Sequence, residues 1–136
     1  MEDIFNIINK YHVLKAFLNQ EFIKNIKLLY VFNNNVFIVT NDDKTYVFGS
    51  NSCGILGLGN ENEVNELTIV KELCHKQIID FKNSWFHMIG RTIDGKVYVW
   101  GCNRWGILGN GRDDLNPYYR QELNEVLKDK RIITIK

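Results

Sequence analysis

The side chains of this 136-residue sequence that could do chemistry are its histidines, its serines, a glycine-rich stretch and a set of tryptophans, and spacing decides what each could do. His12, His75 and His87 stand far apart, with no cysteine or carboxylate at metal-ligand spacing, so no zinc or other metal centre is indicated. Ser50, Ser52 and Ser84 lack the Gly-x-Ser-x-Gly context that lifts a nucleophile onto a tight turn. The stretch Gly54-x-x-Gly57-x-Gly59 invites comparison with a phosphate-cradling loop, but its order is the reverse of Gly-x-Gly-x-x-Gly and no helix-forming run follows. Trp85, Trp100 and Trp105 could line a ligand pocket. Trp100 is assigned to the core, whereas Trp105, flanked by Arg104 and Arg112 at a loop tip, is the candidate contact for a protein partner. No catalytic, cofactor or metal constellation emerges, which points to a non-enzymatic protein.

The glycines have another explanation, because the segment that holds them occurs twice. Residues 42–59 and 94–111 match at a constant offset of 52, and over 36–59 against 88–111 twelve of twenty-four positions are identical without a gap. The shared positions include Gly49, Asn51, Gly54, Leu56, Gly57 and Gly59 in the first copy, and Gly101, Asn103, Gly106, Leu108, Gly109 and Gly111 in the second. Four glycines in the eleven residues 49–59 say that the backbone turns through conformations a Cβ would forbid. Asn51 and Asn103 can bond nearby backbone, and Leu56 and Leu108 are the apolar plugs that pin the loop to a core.

Ahead of each loop stands a hairpin. Asp94 and Gly95 sit between two apolar runs, which predicts a two-residue turn of type I′ with both residues at positive φ. The strand that follows sends Val97 and Val99 to one face and Tyr98 and Trp100 to the other, so both faces are apolar and the strand belongs in a stack of sheets. The first copy repeats this with Tyr46, Val47 and Phe48 but has Thr45 in place of Val97, which predicts a wetter face there.

The succession of hairpin, aromatic residue, glycine, x-Asn-x-x-Gly and x-Leu-Gly-x-Gly resembles the repeat of the regulator of chromosome condensation family. That resemblance implies an all-β repeat, part of a β-propeller of antiparallel four-stranded blades, since members of the family fold as seven-bladed propellers. The family usually has Gln where this chain has Ile55 and Ile107. Its usual histidine is present as His87, for which the resemblance implies a hydrogen-bonded place in the core. Ser84 replaces the associated glycine, Asn35 stands where the first copy would carry the histidine, and Arg91 replaces an aliphatic residue.

Residues 1–30 read as a helical leader and 31–136 as about two repeats. Ile4, Ile8, Tyr11, Leu14 and Leu18 recur at helical spacing, and Asn19 can cap a second helix from Gln20 to about Lys27 that offers Phe22, Ile23 and Ile26. This pair of helices is expected to pack on the sheets or cover an open edge. Lys76 to Phe81 has its counterpart in Lys130 to Ile135 at an offset of 54, which places a two-residue insertion around 113–124. Two repeats cannot close a ring of four to eight blades, so the chain is expected to be a piece of a longer array.

With 45% hydrophobic residues the chain can bury an ordinary core. Its net charge of +1 gives no electrostatic footprint for nucleic acid. Cys53, Cys74 and Cys102 have no Cys-x-x-Cys spacing, which fits a reducing compartment, and neither a membrane-spanning run nor a basic leader is present; the expected location is intracellular, cytoplasmic or nuclear. The expected function is a protein-interaction scaffold. A leader running into such repeats is similar to proteins that pair them with a BTB domain as substrate adaptors of cullin-type ubiquitin ligases. The family resemblance offers guanine-nucleotide exchange on a Ran-like small GTPase as the alternative.

Overall fold

A computed structural model describes residues 19–84, 87–101 and 122–123. The expected stripe of Ile4, Ile8, Tyr11, Leu14 and Leu18 lies outside them, as do Trp85, Asn103, Arg104, Trp105, Gly106, Ile107, Leu108, Gly109, Gly111 and Arg112.

The first described element is a short helix, α1 (Gln20–Lys24), started by Asn19, whose side-chain Oδ1 accepts from the Phe22 N–H at 2.8 Å. Five residues are too few to hold a helix in water, so its place depends on Phe22 and Ile23 packing against the sheet below. It stops well before Lys27. Ile26, expected on its apolar face, is the first residue of strand β1 (Ile26–Phe32), so the helical leader does not extend to residue 30. The reason is compositional: Ile26, Leu28, Leu29, Tyr30, Val31 and Phe32 form a run that is apolar on both faces, which a strand between two apolar layers can bury and an exposed helix cannot.

Strands β1, β2 (Asn35–Thr40), β3 (Thr45–Gly49) and β4 (Val64–Ile69) form one antiparallel meander in chain order. Strands β5 (Ile78–Ser84), β6 (His87–Thr92), β7 (Val97–Gly101) and β8 (Glu122–Leu123) form a second with the same order. The 52-residue correspondence reaches further back than the sequence match. Ile26 pairs with Thr40 as Ile78 pairs with Thr92, and both ladders carry a bulge at the next step, before Leu28 and before Asp80. Tyr46 pairs with Ile69 and Tyr98 with Leu123, so the offset has grown to 54 by residue 123; the insertion therefore falls between Gly101 and Glu122.

The hairpin turns differ from expectation. Thr92 and Lys96 close a three-residue loop through the Thr92 N–H to Lys96 carbonyl bond (3.0 Å), and Gly95, at φ 85°, is its left-handed residue while Asp94 is not. This is a turn followed by a bulge residue rather than type I′, because three residues separate the ladder partners. In the first copy Asp43 takes the left-handed position at φ 61°.

Alternation decides what each face of the first sheet meets. Phe37, Val39 and Val47 point toward the second sheet and bury against Ile78, Phe81, Met88 and Trp100, with Ile55, Leu56, Val70 and Leu73 closing the ends of this core. Val36, Ile38 and Phe48 point the other way, onto α1. Thr45 is not on a wet face: it is fully buried, and its hydroxyl donates to the Leu73 carbonyl at 3.1 Å. A buried hydroxyl with a carbonyl partner loses little on leaving water.

Candidate functional site

The loop after β3 is the part of the repeat most densely specified by sequence. Gly49 leaves the strand at φ 142°, and a Cβ there would stand 2.1 Å from the Asn34 carbonyl oxygen. Only glycine lets the two turns approach this closely. Asn51 follows in the left-handed region at φ 59°, a conformation asparagine tolerates better than most residues.

Asn51 is wholly buried, and its polar atoms all have partners. Its Oδ1 accepts from the Leu56 N–H at 2.9 Å, and its Nδ2 donates to the Asn60 and Asn62 carbonyls at 3.0 and 2.9 Å. Its own N–H donates to Asn35 Oδ1 at 3.0 Å. One side chain therefore ties both ends of the loop together, with Gly54, Gly57 and Gly59 at positive φ between them. Leu56, fully buried, drives the middle of the loop into the core. Asn35, Asn60 and Asn62 are working parts of the loop although none of them is identical between the two copies. Asn35 is the position where the second copy has His87, and that alignment was the available signal.

The loop is held from the other sheet as well. The Trp100 indole N–H donates to the Ile55 carbonyl at 2.7 Å, in a fully buried setting. Its ring lies 6.1 Å from Phe37 and 6.3 Å, edge-on, from Phe81, and Phe37 and Phe81 are 5.0 Å apart. Such tilted and edge-on rings add to the area they bury. Gly90, at the position of Ile38, leaves space for the indole: a Cβ there would stand 3.3 Å from its ring. At the margin of this contact the Tyr30 hydroxyl donates to Asn83 Oδ1, and burial raises the phenol above its ordinary range.

The rim carries a repeated polar turn. Thr40 and Thr92 accept from the Lys44 and Lys96 N–H groups at 3.2 and 3.0 Å, and their hydroxyls donate to Asp42 and Asp94. Those hydroxyl bonds are the main reason both carboxyls sit below the usual range. Asp43 links the turn to the next repeat, with its carboxylate accepting from the Gln77 N–H at 3.0 Å and its carbonyl from the His75 N–H at 2.7 Å.

Arg91 is matched by Asp80 across the ladder at 3.1 Å, so the pair replaces the apolar pair Leu28 and Val39 of the first sheet. His87 is half-buried, and desolvation lowers the ring's pKa. Cys74 donates to the Val70 carbonyl at 3.3 Å and accepts from the Thr45 N–H at 3.5 Å. Among the described residues no group of three or more His, Cys, Asp or Glu side chains could hold a metal ion, and no helix is long and apolar enough to cross a membrane. Of the sequence-predicted site residues, the structure joins Gly49, Asn51, Gly54, Leu56, Gly57, Gly59 and Trp100 in one assembly. It places Asp94 and Gly95 on the opposite end of β7 from Gly101. The candidate contacts Arg104 and Trp105 lie outside the described residues.

Residues 94–136 match the family model described as the regulator of chromosome condensation (RCC1) repeat. The X-linked retinitis pigmentosa GTPase regulator of dog (Canis lupus familiaris) is 35% identical over 107 residues, covering 71% of this chain and 11% of that protein. The regulator of chromosome condensation of Drosophila melanogaster is 37% identical over 99 residues, covering 70% of this chain and 18% of that protein. The chain thus spans less than a fifth of either relative's length. Prp20p of Saccharomyces cerevisiae, in a structure described together with its binding to Gsp1p and histones, superposes with a TM-score of 0.61 at 17% identity, over 80% of this chain and 28% of that one. The repeat family is supported by model and relatives alike, and the structural likeness supports the fold.

Proposed function

We propose that this chain is an arc of a propeller built from regulator of chromosome condensation repeats and works as a non-enzymatic scaffold for a protein partner. The observation that carries this is the internal use of the repeat's polar groups. The Asn51 amide and the Trp100 indole, the side chains most clearly placed by the repeat, are spent on the chain's own backbone. At the tip of the first loop the sequences of the copies diverge: Ser52 and Cys53 stand where the second copy has Arg104 and Trp105. Ser52 is exposed and Cys53 half-buried. A constant frame with variable tips suits recognition, and an arginine beside a tryptophan is the composition of a binding hot spot. Capture of partners with the unaltered chain and with an Arg104→Ala/Trp105→Ala variant tests this. The expected result is at least a tenfold loss of captured partner at an unchanged thermal midpoint; equal capture by both would sink it.

In its finer form the partner belongs to a cullin-type ubiquitin ligase, as for similar proteins that carry a BTB domain. The second form is nucleotide exchange on a Ran-like GTPase, favoured by the likeness to Prp20p. Release of labelled GDP from such a GTPase, stimulated by the protein, would select the second; cullin retention without stimulated release selects the first.

A further inference from the structure

We propose that α1 is a cap that occupies, on the first sheet, the face by which a preceding blade would pack. The inference rests on the propeller reading and on the correspondence between the sheets. Ile78, Met88 and Trp100 of the second sheet are the counterparts of Ile26, Val36 and Phe48, and they are the residues through which the second sheet packs onto the first. By that equivalence Ile26, Val36 and Phe48 mark the face on which the first sheet would receive a blade before it. In this structure Phe22 and Ile23 are packed there instead, and the Phe22 ring meets Tyr46 edge-on at 5.2 Å. On this face Ile38 is fully buried and Val36 is 5% exposed.

A helix of one turn and a half brings only two large apolar side chains, where the second sheet receives a whole layer from the first. Such a contact is displaceable, and a blade can reach this face only after α1 has left it. The cap therefore gives the array a direction, with growth or closure through the first sheet opposed by α1 and packing toward the second sheet unaffected.

Neighbouring residues on β2 test this, because Ile38 lies under α1 and Val39 lies under the second sheet. Ile38→Cys and Val39→Cys variants of the whole chain are reacted with a thiol reagent, and labelled peptides are assigned by mass, with and without Phe22→Ser/Ile23→Ser. The expected outcome is at least tenfold faster labelling of the Ile38→Cys variant once α1 is altered, with labelling of the Val39→Cys variant unchanged. Unchanged protection of the Ile38→Cys variant would mean that something other than α1 covers the face, and equal acceleration of both would mean that α1 is part of the common core; either overturns the proposal. Ready labelling of the Val39→Cys variant in the otherwise unaltered chain would instead refute the packing of the two sheets. Val36→Cys replaces Ile38→Cys should the latter fail to fold.

Discussion

Asn51 shows how much one residue can organise when its side chain is buried with every polar atom engaged. Replacement by alanine strands the Leu56 N–H and the Asn60 and Asn62 carbonyls away from a partner. With a buried unsatisfied group costing about 1–3 kcal/mol, the expected loss is about 2–4 kcal/mol, read as a lower urea midpoint. An unchanged midpoint would show that the loop does not depend on this side chain. His87 gives a pH dependence. Burial depresses the folded ring's pKa, so the unfolded chain takes up a proton first as pH falls. Stability from this group is complete above about pH 6.5, the unfolded value, and is lost as pH falls through the depressed folded value. His87→Gln should therefore flatten the stability profile as pH falls below about 6.5, measured by denaturant titration at each pH. A profile parallel to that of the unaltered protein would contradict it.

At the scale of the element, β3 shows how a substitution within a repeat is compensated. Its Thr45 stands where β7 has Val97, and both are buried, but Thr45 alone gives a hydroxyl to the Leu73 carbonyl. Thr45→Val makes the two strands alike and leaves that carbonyl without its donor. The expected result is a destabilisation of about 1–2 kcal/mol by thermal or urea unfolding, despite the more apolar side chain. A stabilised variant would show that the Leu73 carbonyl finds water. Strand β7 itself was legible from alternation of residue types. Strand β1 was not: its run of apolar residues has no clean period, and the spacing of Phe22, Ile23 and Ile26 imitates a helix. Only pairing with β2 separates the two readings.

For the whole molecule the decisive contact joins the sheets. Trp100 belongs to the second sheet and Ile55 to a loop of the first, and the indole N–H to carbonyl bond at 2.7 Å crosses between them in the middle of the shared core. Trp100→Phe keeps an aromatic ring but removes the donor and leaves space behind. A loss of about 2–4 kcal/mol is expected, in a single transition because the core is common to both sheets. Two separate transitions would show that the sheets fold independently.

The sequence by itself determined the repeat and the positions of its hairpins, and in the first copy the residues of its loop, because glycine at a forbidden φ and asparagine beside free backbone groups are local requirements. It also placed Trp100 in the core. Only the tertiary structure decided where the repeat begins, what Thr45 and Arg91 bond to, and which face α1 covers. Those outcomes depend on partners distant along the chain: Leu73 for Thr45, Asp80 for Arg91, and Tyr46 for Phe22. Local residue patterns carry backbone conformation, whereas the identity of a burying partner appears only when two sheets are brought face to face.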